Sequence, residues 1–218
     1  MKKSKVLLLS ICAVLLLTVS VLGTLAYLTS EDTIVNTFTV GKVNITLDEA
    51  KVNPDGTLVN NTDRVKANNY HLVPGNTYIK DPTMTVIKGS EESYVRMLVT
   101  INCMEEFDNI YAPAVADLTS IFNGYDATNW ECKAVVRDAN ANTVTYEFRY
   151  KQTVGPTDDS DTVLDALFDS ITVPGQFDSA DMASIADLKI TVIGHAIQAS
   201  GFADANSAWN AFDAQINN

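Results

Sequence analysis

The sequence predicts a mainly β fold, an antiparallel β-sandwich with short helical insertions and a C-terminal amphipathic helix. Three observations predict it. Seven or more short runs alternate apolar and polar residues; polar turns rich in Gly, Pro, Asn and Asp separate them; and strand and helix patterns do not alternate as a parallel sheet requires. No internal repeat or low-complexity tract interrupts the pattern.

The first 26 residues stand apart from that domain. Lys2, Lys3 and Lys5 precede an apolar run from Val6 to Leu22, broken only by Ser10, Thr18 and Ser20, and Gly23-Thr24-Leu25-Ala26 follows. This is the charged, apolar, small-residue order of a secretory signal peptide, with Thr24 and Ala26 at the −3 and −1 positions before the cut and Tyr27 opening the mature chain. The alternative is an uncleaved anchor, because Val6 to Leu28 is about long enough to span a bilayer, which takes ~20 residues. In both cases the lysines stay cytoplasmic and the remainder faces outward. Cys12 lies inside the apolar run with Ile11 before it, a poor context for lipid attachment.

Residues 27–218 form one expected domain. Removing the three leader lysines from 15 Lys and Arg leaves 12 against 27 Asp and Glu, a net charge of −15. Such a chain repels nucleic acid and anionic membranes. Its apolar content suffices for a substantial core.

From Thr33, Ile34, Asn36, Phe38 and Val40 share one phase, and after Gly41 the apolar phase passes to Val43, Ile45 and Leu47. Asn53-Pro54-Asp55-Gly56 reads as a turn, Asn60 to Asn69 as a loop, and Pro74-Gly75 as a second turn. Thr77 to Ile87 reads as a strand in which Tyr78, Lys80, Pro82, Met84 and Val86 are in phase. Pro82 cannot donate to a ladder and marks an edge or an irregularity. After the turn Lys88 to Glu92, Tyr94 to Cys103 is the clearest strand, with Met97, Val99, Ile101 and Cys103 on one face and Arg96, Thr100 and Asn102 on the other. Trp130 to Val136 and Thr143 to Tyr150 flank a polar turn and predict a β-hairpin, with Trp130, Cys132, Ala134 and Val136 in phase. Ile171 to Val173 and Leu188 to Ala199 supply further strands. Helices are predicted at Asp117 to Phe122, Asp161 to Asp169 and Ser179 to Ala186. A terminal helix is predicted near Asp204 to Gln215, where Ala205, Trp209, Phe212 and Ile216 repeat at helical spacing.

Cys103 and Cys132 are the cysteines after the leader. Outside the cell they either pair, closing a loop of about 30 residues worth roughly 3 kcal/mol, or sit as ordinary core thiols on the apolar sides of their strands.

Catalytic patterns are missing. His71 and His195 form no His-Glu-x-x-His motif; His71 falls in a loop, and His195 falls in a strand in phase with Ile193 and Ile197. No Gly-x-Ser-x-Gly elbow or glycine-rich phosphate loop is present. Two acidic stretches, Asp158-Asp159-Ser160-Asp161 and Asp138 to Asn142, raise the question of calcium. The second lacks the glycine and glutamate of an EF-hand loop, Thr143 and Arg149 standing in their places, and reads more simply as a solvated turn. The expectation is a non-enzyme without a cofactor.

Gly23-Thr24-Leu25-Ala26-Tyr27, Asn36-Thr37-Phe38-Thr39-Val40-Gly41 and Leu72-Val73-Pro74-Gly75-Asn76 together resemble the TasA/camelysin group of exported Gram-positive proteins. The likeness is specific in the signal and first strand and moderate from Asp63 to Cys103. Beyond about residue 105 it narrows to a clostridial subgroup, where functional transfer weakens. The resemblance implies a jelly-roll sandwich, processing by a SipW-type signal peptidase, and secretion into extracellular matrix or onto the cell surface. It also implies self-assembly into fibres in which Tyr27 to Val40, above all Ile34, Val35, Phe38 and Val40, is donated as a strand to the next subunit. The competing reading keeps those residues as the first strand of their own domain. Two other functions stand beside the fibre: a calcium- or ligand-binding surface adhesion module, and a camelysin-like metallopeptidase, for which no zinc motif is present.

Overall fold

Pairing is antiparallel throughout the computed structural model, which describes residues 41–111, 122–155 and 159–216. The longest ladder is built on β5 (Ser93–Asn102), the run with the strictest alternation, and it lies between β11 (Ile190–Gln198) and β8 (Thr143–Tyr150). β7 (Trp130–Asp138) pairs with β8 across the predicted hairpin and completes a four-stranded sheet in the order β11-β5-β8-β7. A second sheet has the order β2-β1-β4-β9, from β1 (Ile45–Ala50), β2 (Arg64–Val65), β4 (Thr83–Val86) and β9 (Thr162–Val163). A third joins β3 (Thr77–Ile79), β10 (Ser170–Thr172) and β6 (Phe122–Asn123). Among the described residues three helices accompany them: α1 (Met104–Tyr111), α2 (Ser179–Ser184) and α3 (Ala205–Ile216). The molecule is mainly β, as the patterning predicts.

One core unites the sheets. Val95, Met97, Val99 and Ile101 of β5 and Val144, Tyr146 and Phe148 of β8 are buried with Met84 and Val86 of β4 and with Phe122, Leu167 and Phe168. Phe122 stacks on Phe168 with centroids 4.5 Å apart and meets Tyr146 edge-on at 5.4 Å, the offset and T-shaped contacts that aromatic quadrupoles favour. At Gly194 of β11 a Cβ would lie 2.5 Å from the Met84 methyl and 3.7 Å from Leu47. The absent side chain therefore lets β1 and β4 close onto β11.

Pro82 divides the predicted strand Thr77 to Ile87. β3 and β4 lie on either side of it and enter different sheets, while Tyr78, Lys80, Pro82, Met84 and Val86 all remain buried. Gly56 N–H donates to Asn53 O at 2.9 Å, closing the predicted Asn-Pro-Asp-Gly turn.

Several expectations need correction. Asp161 to Asp169 is not a helix. It runs beside β4 as β9 and an extended segment, with Leu164 N–H donating to Met84 O (2.9 Å) and Leu167 N–H to Pro82 O (3.1 Å). Pairing with an open strand edge outweighs a local propensity worth only tenths of a kcal/mol per residue. Val163 accordingly points to solvent while Leu164, Leu167 and Phe168 are buried.

In β7 the register shifts between Cys132 and Ala134, where Cys132 faces Phe148 and Ala134 already faces Glu147. This bulge turns Ala134 and Val136 to the face opposite Trp130 and Cys132, and Val136 is 62 % exposed. The predicted helix at Asp117 lies outside the described residues up to position 121, and its last residue, Phe122, opens β6.

Cys103 and Cys132 are free thiols, Cys103 buried and Cys132 half-buried. The register explains why they do not pair: Cys132 is opposite Phe148, itself opposite Met97 on the strand that precedes Cys103. Six residues at ~3.3 Å each separate them by about 20 Å along the strands, against a reach of ~7 Å for a disulfide.

α1 was not expected. Its N-terminus is satisfied by Asn142 from the β7–β8 turn, whose O accepts from Met104 N–H (3.2 Å) and whose Oδ1 accepts from Glu105 N–H (2.9 Å). α2 begins as predicted, at a capping box between Asp178 and Asp181. α3 buries Ala208 and Trp209, whereas Ile216 of the predicted stripe is exposed.

Candidate functional site

β11 forms one edge of its sheet. Nine consecutive residues pair with β5 on one side, and among the described residues no strand pairs on the other. Its sequence, Ile-Thr-Val-Ile-Gly-His-Ala-Ile-Gln, holds no Lys, Arg, Asp or Glu. The opposite edge, β7, is defended by a bulge and by Glu131, Lys133, Arg137 and Asp138. Charges and bulges are the usual protection against unwanted strand addition, so one edge is blocked and the other is open.

The ladder gives the direction of the open groups. Asn102 N–H donates to Lys189 O (3.3 Å) and Ala199 N–H to Glu92 O (2.7 Å), which marks these as hydrogen-bonded pairs. Alternation then directs Thr191, Ile193, His195 and Ile197 to β5 and leaves the N–H and C=O groups of Ile190, Val192, Gly194 and Ala196 facing outward.

A groove of about 1290 Å³ runs beside Ile190 to Gly194. Leu47 to Glu49 of β1 and the loop Lys66 to Leu72 also line it, with Met182 and Ile185. β2 pairs only with Glu49 and Ala50, so among the described residues Ile45 to Asp48 have no strand neighbour on that side. Two sheet edges thus border one groove. Ile190 to Gly194 spans about 13 Å at ~3.3 Å per residue, room for four or five residues of extended chain.

The lining is mixed: Leu47, Leu72, Met182, Ile185, Ile190 and Val192 stand beside Asp48, Lys66, Asp187 and Lys189, above a polar base that is satisfied internally. Lys80 Nζ donates to Glu49 Oε2 at 2.6 Å, and both residues are buried. Asn68 Nδ2 donates to Glu49 Oε1 (3.0 Å) and Ala50 O (2.8 Å), and its Oδ1 accepts from Val52 N–H (3.1 Å). Tyr70 donates to Ile79 O at 2.9 Å; burial, then the nearby Glu49 carboxylate, raises its pKa far above the ordinary phenol range. These groups are held neutral or paired and offer no reactive nucleophile.

Thr24, Ala26 and Tyr27 of the expected cleavage site and Ile34, Val35, Phe38 and Val40 of the expected assembly strand lie outside the described residues. His71 borders the groove, while His195 lies in β11 against Phe212 and Arg96, as expected of a half-buried strand residue. The acidic turn serves structure: Asp138 Oδ1 accepts from Asn140 N–H (2.9 Å) and Ala141 N–H (3.1 Å). Asp161 Oδ1 accepts from Lys88 N–H at 2.9 Å. Among the described residues no three His, Cys, Asp or Glu side chains gather to hold a metal ion. The open edge was missed in the sequence, although the absence of charge from Ile190 to Gln198 was its visible sign.

No protein-family model, curated protein or solved structure matches this chain.

Proposed function

We propose that the protein is a secreted structural subunit, not an enzyme, that assembles in the extracellular matrix or on the cell surface by β-strand donation. Export through a SipW-type peptidase cuts after Ala26 and frees Tyr27 to Val40, whose Ile34, Val35, Phe38 and Val40 enter the groove of the next copy and extend its sheet at β11. The observation that carries this reading is the uncharged edge of β11, unpaired among the described residues, beside a groove with apolar side chains for a strand to pack on. The resemblance of the signal and first strand to the TasA/camelysin group, with its jelly-roll subunits, supports it.

The energetics are adequate. Each buried apolar side chain contributes ~1.5–3 kcal/mol and each ladder hydrogen bond ~0.5–1.5, against the cost of ordering the donated segment. Main-chain bonds supply affinity, and alternate side-chain positions supply register.

The test compares two chains by electron microscopy and light scattering. Protein beginning at Tyr27 forms fibres, and protein beginning at Val43 stays monomeric. If both remain monomeric across concentration and pH, strand donation fails and the groove is left to a peptide from another protein.

A further inference from the structure

Arg96 stands on the outer face of the β11-β5-β8-β7 sheet, yet it is only 3 % exposed, because α3 lies over it. Its guanidinium donates to both carboxylate oxygens of Asp213, at 3.1 Å to Oδ2 and by a shorter bond to Oδ1. It reaches Glu147 Oε1 at 3.4 Å, and its Nε donates to His195 Nδ1 at 3.2 Å. The same group sits 4.4 Å from the Trp209 ring centroid and 5.2 Å from that of Phe212. Phe212 in turn covers His195 at 4.7 Å. Among the described residues the further charge facing this cluster is Arg149 of β8, which donates to Glu147 Oε1 (2.6 Å) and to Asn206 Oδ1 of α3 (2.7 Å). α3 is joined to β11 by a short turn in which Gly201 has φ +93°, a conformation few other residues adopt.

We propose that α3 is an acid-released cover. At neutral pH the Arg96 clamp holds it on the sheet; protonation of His195, and at lower pH of Asp213, frees it to leave about the Ser200-Gly201 turn while the β-sandwich stays folded. The chemistry lies in one hydrogen bond. His195 Nδ1 accepts from Arg96, so it must carry a lone pair; a protonated ring has none and sets a second cation beside the first. Asp213 is the carboxylate that ties α3 itself to Arg96, so its neutralisation removes the ionic tether, leaving the Arg149–Asn206 hydrogen bond and the burial of Trp209 as what still holds the helix, while Glu147 stays with Arg96 on the sheet.

The direction is consistent across both groups. Burial, then Arg96, lowers the pKa of His195 below its ordinary 6.5. The Arg96 hydrogen bond lowers that of Asp213 below 3.8. A lowered pKa in the docked state means that docking is strongest above the ordinary value and is lost as pH falls through the docked-state value. Release therefore begins below pH 6.5 and is completed by Asp213. It uncovers the α3 side of the sheet, including Arg96 and His195.

Hydrogen exchange read by mass spectrometry on the full chain tests this, with rates corrected for intrinsic pH dependence. Between about pH 7.5 and about pH 3, peptides covering Ala203 to Ile216 should lose protection progressively, by ~10-fold or more in all, while β5 and β8 peptides keep theirs. Asp213→Asn should show the loss already at neutral pH, and His195→Gln, which keeps a neutral acceptor, should shift it to lower pH. Joint loss in α3 and β5 means unfolding rather than release and overturns the proposal. So does a His195→Gln profile that superimposes on the parent's.

Discussion

Lys80 and Glu49 form a buried ion pair at the base of the groove. Removing one partner leaves an uncompensated charge, so Lys80→Ala should cost about 3–5 kcal/mol, read as a lower midpoint in urea with little change in slope. Replacing both by Met and Leu should recover most of that loss, because an apolar pair avoids the desolvation of two ions. Recovery to less than half would mean that the pair does more than fill space. Lys80 was legible as a core-phase residue, since it alternates with Tyr78 and Met84. Arg96 was assigned correctly to the other face of β5, but alternation tells only which face a side chain takes. What covers that face is decided by α3, more than a hundred residues later, and no local pattern carries that information.

At the level of elements, the β11 edge allows a sharper test than truncation. Val192 N–H faces the open side, whereas Thr191 N–H is engaged with β5. Proline is tolerated where a strand's N–H is unused and disruptive where it is bonded. Val192→Pro should abolish fibre formation while shifting the melting temperature by only a few degrees, and Thr191→Pro should unfold the sheet, costing ~3 kcal/mol or more. Fibres from Val192→Pro would place the receiving edge elsewhere. A second prediction concerns α1: Asn142→Ala removes its long-range cap and places alanine at φ +50°. Loss of such a cap costs ~1 kcal/mol, and the change should appear as faster exchange in Met104 to Tyr111. This dependence explains why α1 escaped sequence reading, whereas α2, whose Asp178 cap is adjacent in the chain, did not. The Asp161 to Asp169 segment misled for the same reason in reverse. Its helical periodicity was real, and the partner that overrode it, the edge of β4, lies some eighty residues earlier.

For the whole molecule, fold class was legible because alternation with a period of two, repeated between turns, has few solutions other than stacked antiparallel sheets. The groove was not, since an edge is defined by what fails to pair. Net charge acts at this scale as well. Residues 27–218 carry 27 acids against 12 bases, so neighbouring subunits repel one another while the proposed contact is apolar. Screening shortens that repulsion, with a Debye length of ~30 Å at 0.01 M salt and ~8 Å at 0.15 M, and leaves apolar burial intact. Fibre growth by strand donation should therefore accelerate as sodium chloride rises across that range, followed by light scattering at fixed protein concentration. Matched ionic strength separates this from the calcium reading: screening alone makes calcium chloride and sodium chloride nearly equivalent, whereas a calcium site gives growth that saturates with calcium and reverses in chelator. Growth that slows as sodium chloride rises would mean that subunits join through opposite charges, and the apolar side chains of the groove would then not be the contact that holds them.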